Sequence, residues 1–80
     1  MENEQLKNLI ETQISQVEIT VKGDGRHFDI IVISNEFVGK SMLQRQQTIY
    51  GLLQGYIASG EIHALNMKTY TKEEWNHKNG

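Results

Sequence analysis

Apolar residues return at helical spacing near the start of the chain. Leu6, Leu9, Ile10 and Ile14 share one side of the spiral, which predicts an amphipathic helix over 3–14. The period then changes. Val17, Ile19 and Val21 alternate with Glu18, Thr20 and Lys22, the pattern of a strand with one wet face. Gly23-Asp24-Gly25-Arg26 reads as a turn, because glycine tolerates positive φ. His27-Phe28-Asp29-Ile30-Ile31-Val32-Ile33 carries apolar residues on both faces and predicts a more buried, central strand. These two strands are expected to form an antiparallel hairpin.

Ser34 to Lys40 reads as a connector with a helical turn around Phe37. Ser41 followed by Gln44 has the spacing of a capping box and predicts the start of a second helix. Its expected buried stripe is Met42, Ile49, Leu53 and Tyr56. Gly51 and Gly55 interrupt this helix at a cost, which suggests close packing on the sheet. Gly60 is a natural stop. Ile62 to Tyr70 predicts a third strand, with Ile62 and Ala64 on one face and His63, Leu65 and Met67 on the other. Thr71 and Glu74 repeat the capping-box spacing and open a short helix carrying Trp75. The tail from Asn76 to Gly80 is expected to fray.

The predicted order is α-β-β-α-β-α: a single α+β domain over residues 1–80, without repeats or linkers. A helix joins the second and third strands, and such crossovers make the strands parallel. The central second strand then pairs with both others in a mixed sheet. Parallel strands start at the same end. His27 and His63, distant in sequence, are therefore expected to lie near each other. A histidine pair suits borderline metals, iron–sulfur centres or proton transfer. Two nitrogens leave any such site incomplete, so a partner, small molecule or water must supply the rest. The competing reading is two unrelated surface histidines. His77 falls in the tail and reads as solvated.

Composition narrows the field further. The 80 residues contain no Cys, which removes disulfides and thiolate sites from the chain itself and suits a reducing cytosol. No apolar run approaches the roughly 18 residues that span a bilayer. The acidic, polar start is unlike a targeting segment, so a cytoplasmic protein without membrane contact is expected. Eight Lys and Arg against ten Asp and Glu give a net charge of −2, without the basic footprint of a typical nucleic-acid binder. Ser15, Ser34, Ser41 and Ser59 lack a nucleophile-elbow context, and no carboxylate pair for acid–base work is evident. Asp24 and Asp29 read as turn and strand-edge residues. Gly23-Asp24-Gly25 is too short for a phosphate loop. An enzyme is not expected.

Four segments resemble the BolA-like family, most closely its short IbaG-type branch. They are Gly23-Asp24-Gly25-Arg26-His27-Phe28, Leu43-Gln44-Arg45-Gln46-Gln47-Thr48-Ile49-Tyr50, Ile62-His63-Ala64-Leu65 and Tyr70-Thr71-Lys72-Glu73-Glu74-Trp75. The resemblance covers nearly the whole chain. It implies a fold similar to a class II KH domain, a three-stranded mixed sheet against helices. It also implies pairing with a CGFS monothiol glutaredoxin around a bridging 2Fe–2S cluster. The glutaredoxin cysteine and glutathione supply thiolates there, and the BolA-like partner supplies a histidine, here His63. The isolated protein is then a monomer without cofactor.

Many members carry another ligand in the loop between the first two strands, where the candidate here is His27. His27 also matches the family's Ser-His-Phe position, with Arg26 replacing Ser. It is either the second ligand or a structural neighbour of the cluster. Gln46 and Gln47 stand where the BolA-type branch often shows His and Arg, which points to the IbaG-type branch. The alternative function is a KH-like nucleic-acid-binding transcriptional regulator. No Gly-x-x-Gly loop occurs at Phe37-Val38-Gly39-Lys40-Ser41, where such a domain would grip nucleic acid. Arg45, Lys40, Lys68 and Lys72 remain as a modest basic face or an ordinary solvated surface.

Overall fold

The structure is a computed structural model and describes residues 1–79. Helix α1 (Asn3–Glu11) is followed by the hairpin of β1 (Glu18–Gly23) and β2 (His27–Ile33). A single 3-10 turn at Asn35–Phe37 leads to α2 (Met42–Ala58), then β3 (Ala64–Tyr70) and α3 (Lys72–Asn79). The sheet order is β1-β2-β3, with β1 antiparallel and β3 parallel to the central β2. The expected α+β order and mixed sheet are therefore present.

Alternation along β2 builds the core. Phe28, Ile30 and Val32 point to one face and are buried. Leu6 and Ile10 of α1 and Ile49 and Leu53 of α2 close over that face. Burying each such side chain stabilises the fold by about 1.5–3 kcal/mol. The opposite face carries Thr20, Lys22, Asp29, Asn66 and Lys68, all exposed, around the half-buried Ile31.

Both capping boxes form. Ser41 accepts the Gln44 amide through Oγ (3.2 Å), and the Gln44 side chain accepts the Ser41 amide (2.9 Å). Thr71 and Glu74 do the same at α3, at 3.1 and 2.8 Å. These bonds satisfy backbone donors that a helix start leaves open.

Several expectations need correction. Helix α1 ends at Glu11, and Ile14 reaches the core from the following turn. Met42 is 54% exposed, and the buried stripe of α2 is instead Arg45, Ile49 and Leu53. Gly51 and Gly55 do not pack on the sheet; a Cβ at either would meet nothing within 4 Å. Strand β3 starts at Ala64, not Ile62. Gly60 turns the chain at φ 82, and the Ile62 amide bonds to the Tyr56 carbonyl. Ile62 is thereby folded into the core beside Leu65 and Met67, while Ala64 is exposed. Residues 76–79 continue α3, where the Lys78 ammonium lies 6.0 Å from the Tyr70 ring centroid. Gly80 lies outside the described residues.

Arg45 is the largest departure. It is 6% exposed and does not belong to a basic face. Its guanidinium forms two bonds to the Glu74 carboxylate, at 2.7 and 3.2 Å. Its Nε donates to the Lys40 carbonyl at 3.0 Å. Phe37 lies 5.7 Å beneath the guanidinium. One side chain thus joins α2, α3 and the loop before α2. The Arg45 guanidinium holds the Glu74 carboxyl down at about 2, helped by the Thr71 amide.

Candidate functional site

The parallel register sets His27 opposite Ala64. His63 comes one residue earlier, just outside β3. The Arg26 carbonyl accepts both the His63 amide (2.8 Å) and the Ala64 amide (3.2 Å). This shared carbonyl brings the two histidine backbones together. Their rings meet edge to face, with centroids 5.5 Å apart and planes at 67°. Both residues are exposed. The sequence-predicted pair is therefore a real neighbourhood. His77 lies elsewhere, exposed on α3.

The β1–β2 turn positions His27 through Asp24. The carboxylate Oδ1 accepts the amides of Arg26 (3.0 Å) and His27 (2.8 Å). Its other oxygen lies 3.3 Å from His27 Nδ1. The His27 amide, then the Arg26 amide, then the His27 ring hold the Asp24 carboxyl well below its usual range, at about 2. Asp24 is therefore a carboxylate at neutral pH. A carboxylate only accepts hydrogen bonds, so Nδ1 carries the proton. In the neutral ring the lone pair then sits on Nε2, away from the turn.

Asp24 was expected only as a turn residue. Its second role was signalled by its place three residues before a histidine, in a turn that folds the chain back. Gly23 makes the turn possible by closeness rather than by positive φ. A Cβ there would lie 2.5 Å from Phe28 Cδ1 and 2.7 Å from the His27 carbonyl oxygen. Positive φ belongs to Gly25 (φ 96).

Two imidazoles can offer nitrogen ligands to a borderline metal. They do not close a site. Among the described residues, no group of three or more His, Cys, Asp or Glu is placed to hold a metal ion. The donor set fits one side of a shared centre and does not fit a self-contained one. No described helix is long and apolar enough to cross a membrane.

A small mixed sheet is covered by helices on one face and carries two exposed, adjacent imidazoles at one end. The profile for BolA-like proteins matches residues 3–74, and the chain belongs to that family. It is 43% identical over 75 residues to the acid stress protein IbaG of Escherichia coli K12, covering 94% of this chain and 89% of that one. Among solved structures, a bolA homologue from Coxiella burnetii superposes with a TM-score of 0.82 at 35% identity, covering 95% and 97% of the two chains. The BolA domain of SufE1 from Arabidopsis thaliana gives 0.80 at 30% identity, covering 90% and 93%.

Proposed function

We propose that this chain is an iron–sulfur accessory protein that pairs with a CGFS monothiol glutaredoxin and shares a bridging 2Fe–2S cluster with it. The observation that carries this reading is the exposed His27–His63 pair, with ring centroids 5.5 Å apart. An iron–sulfur cluster needs four ligands. A chain with no Cys and two adjacent imidazoles is suited to contribute the nitrogen part alone. The glutaredoxin cysteine and glutathione would supply the thiolates.

His63 is the first ligand in this reading. His27 is the second candidate, with Asp24 fixing its tautomer from the far side of the ring. When bound, the cluster would supply redox and transfer chemistry. The chain's own residues orient the imidazoles and leave the site open to a partner. The name of the similar Escherichia coli protein suits a role under stress. A cytoplasmic setting accords with the cysteine-free composition. The regulator alternative loses ground, because Arg45 is buried in an ion pair and Lys72 lies 3.4 Å from Glu18.

The test is a mixing experiment with cluster-loaded glutaredoxin. The visible absorption and circular dichroism of the cluster should change when this protein is added. His63→Ala should abolish the change. An unaltered response from the variant, at equal binding, would remove His63 from the ligand role.

A further inference from the structure

We propose that α2 is a self-association surface through which two copies of this chain pair antiparallel about a two-fold axis at Tyr50. This departs from the expectation of a lone monomer. It uses none of Asp24, His27 or His63, so it stands apart from the cluster reading.

The observation is a helix face without charge. Met42–Ala58 contains one charged residue, Arg45, and that residue is buried. The helices α1 and α3 both expose charged side chains, such as Glu4 and Lys78. On the outer side of α2, Leu43 is 63% exposed, Tyr50 43% and Ile57 37%. They follow one another at seven-residue steps, so they lie along one line of the helix. Tyr50, Gly51, Gln54, Ile57 and Ala58 line a shallow hollow on the same face.

The glycines point outward to the same conclusion. Gly51 and Gly55 each cost about 1 kcal/mol relative to Ala inside a helix. A Cβ added at either would meet no atom of the described residues within 4 Å, the adjoining helix backbone aside. Their cost has no return in the packing of the single chain. A bare backbone beside Tyr50 gives a facing aromatic ring a place to lie.

The identity of the occupant follows from symmetry and charge. Tyr50 is the middle residue of Met42–Ala58. Leu43 and Ile57 stand equally far from it on either side. In an antiparallel pair, Leu43 of one copy meets Ile57 of the other, and the two Tyr50 rings flank the axis. Gln47 then faces Gln54, and each amide both donates and accepts. Such self-complementarity is what a two-fold interface requires. The helix dipole argues the same way. The first turn of α2 has no acidic residue and the last has no basic one. Antiparallel pairing sets each uncompensated end against its opposite. A charged partner would gain nothing from this face.

The interface is small. A 17-residue helix spans about 25 Å. One such contact falls below the roughly 1,200 Å² of a stable complex, so the dimer is weak and exchanges quickly. Sedimentation velocity on the full chain, from about 10 μM to about 1 mM, should show a monomer–dimer equilibrium in the high micromolar range. Tyr50→Asp places two carboxylates at the axis and should weaken pairing at least about tenfold. Gly51→Gln fills the hollow with a better helix former. It should raise the melting temperature while weakening the dimer, which separates interface from fold. Association should hold within about twofold as salt rises about tenfold, because no exposed charge takes part. A chain that stays monomeric to about 1 mM overturns the proposal. So does pairing that survives both substitutions, or that collapses with salt.

Discussion

The two ends of the β2–β3 pair are built differently. At the far end, side-chain hydrogen bonds are added to the main-chain bond from the Ser34 amide to the Tyr70 carbonyl (2.9 Å). Ser34 donates through its hydroxyl to the Ser15 carbonyl (2.9 Å) and accepts the Glu36 amide (3.1 Å). Beside it, Arg45, Glu74, Thr71 and the Lys40 carbonyl form one connected network. At the histidine end, main-chain groups meet one another and a single carboxylate. The Arg26 carbonyl receives two amides, the Asp24 amide reaches the His27 carbonyl, and the Asp24 carboxylate receives two more amides. The main chain is fixed there while both imidazoles stay exposed. A side chain engaged in an internal network cannot also serve a partner. An end braced through its backbone keeps its side chains available, without the disorder that would blunt recognition.

This contrast predicts that the exposed end is the less forgiving of backbone change. Gly23→Ala should destabilise the chain by about 2–3 kcal/mol, because the added methyl meets both a core ring and a main-chain oxygen. Urea unfolding measures it. A loss under about 0.5 kcal/mol would show a yielding backbone and erase the difference between the ends.

The networked end should respond next most. Glu74→Ala leaves the Arg45 guanidinium buried without its carboxylate. Glu74 is itself about half exposed, at 48%, so water screens the pair and the expected loss is about 1–2 kcal/mol. Acid should reproduce the effect. The Glu74 carboxyl sits at about 2 against an ordinary 4.5. The unfolded chain binds the proton first, so this contribution is complete above the ordinary value and is lost as pH falls toward about 2. The stability gap between the parent and Glu74→Ala should close over that window. A gap independent of pH would mean that Glu74 acts through packing alone.

Much of this asymmetry was legible in the sequence. Alternation in β1, the two-faced apolar run of β2, the glycine turn and two capping boxes are local signals, and all produced the expected elements. The His27–His63 meeting was also legible, because it follows from a crossover rule rather than from side-chain detail. Arg45 was not. A charged residue on a helix reads as solvated, and only the tertiary fold brings Glu74 to it across a long stretch of chain. Ile62 misled for a related reason. Alternation assumes an extended chain, and the turn at Gly60 delays the strand until Ala64. Gly51 and Gly55 were assigned to inner packing because propensity reports a cost without saying which side of the helix explains it.

The finest test separates the two tasks of Asp24. Asp24→Asn keeps an oxygen for the Arg26 and His27 amides, so the turn should survive and the unfolding midpoint should barely move. The substitution removes the ionic acceptor facing His27 Nδ1, which lies 3.3 Å from the carboxylate. His27 should then lose its preference for the Nδ1-protonated tautomer, and long-range nitrogen–proton NMR spectra of the imidazoles will register it. His63 should be unaffected in the same spectra. If the variant instead unfolds as readily as Gly23→Ala, the Asp24 carboxylate is holding the turn by its charge. The exposed end would then depend on a side chain just as the far end does. If stability holds and only the His27 signals move, the turn and the tautomer are separable, and Asp24 is a positioning residue for His27.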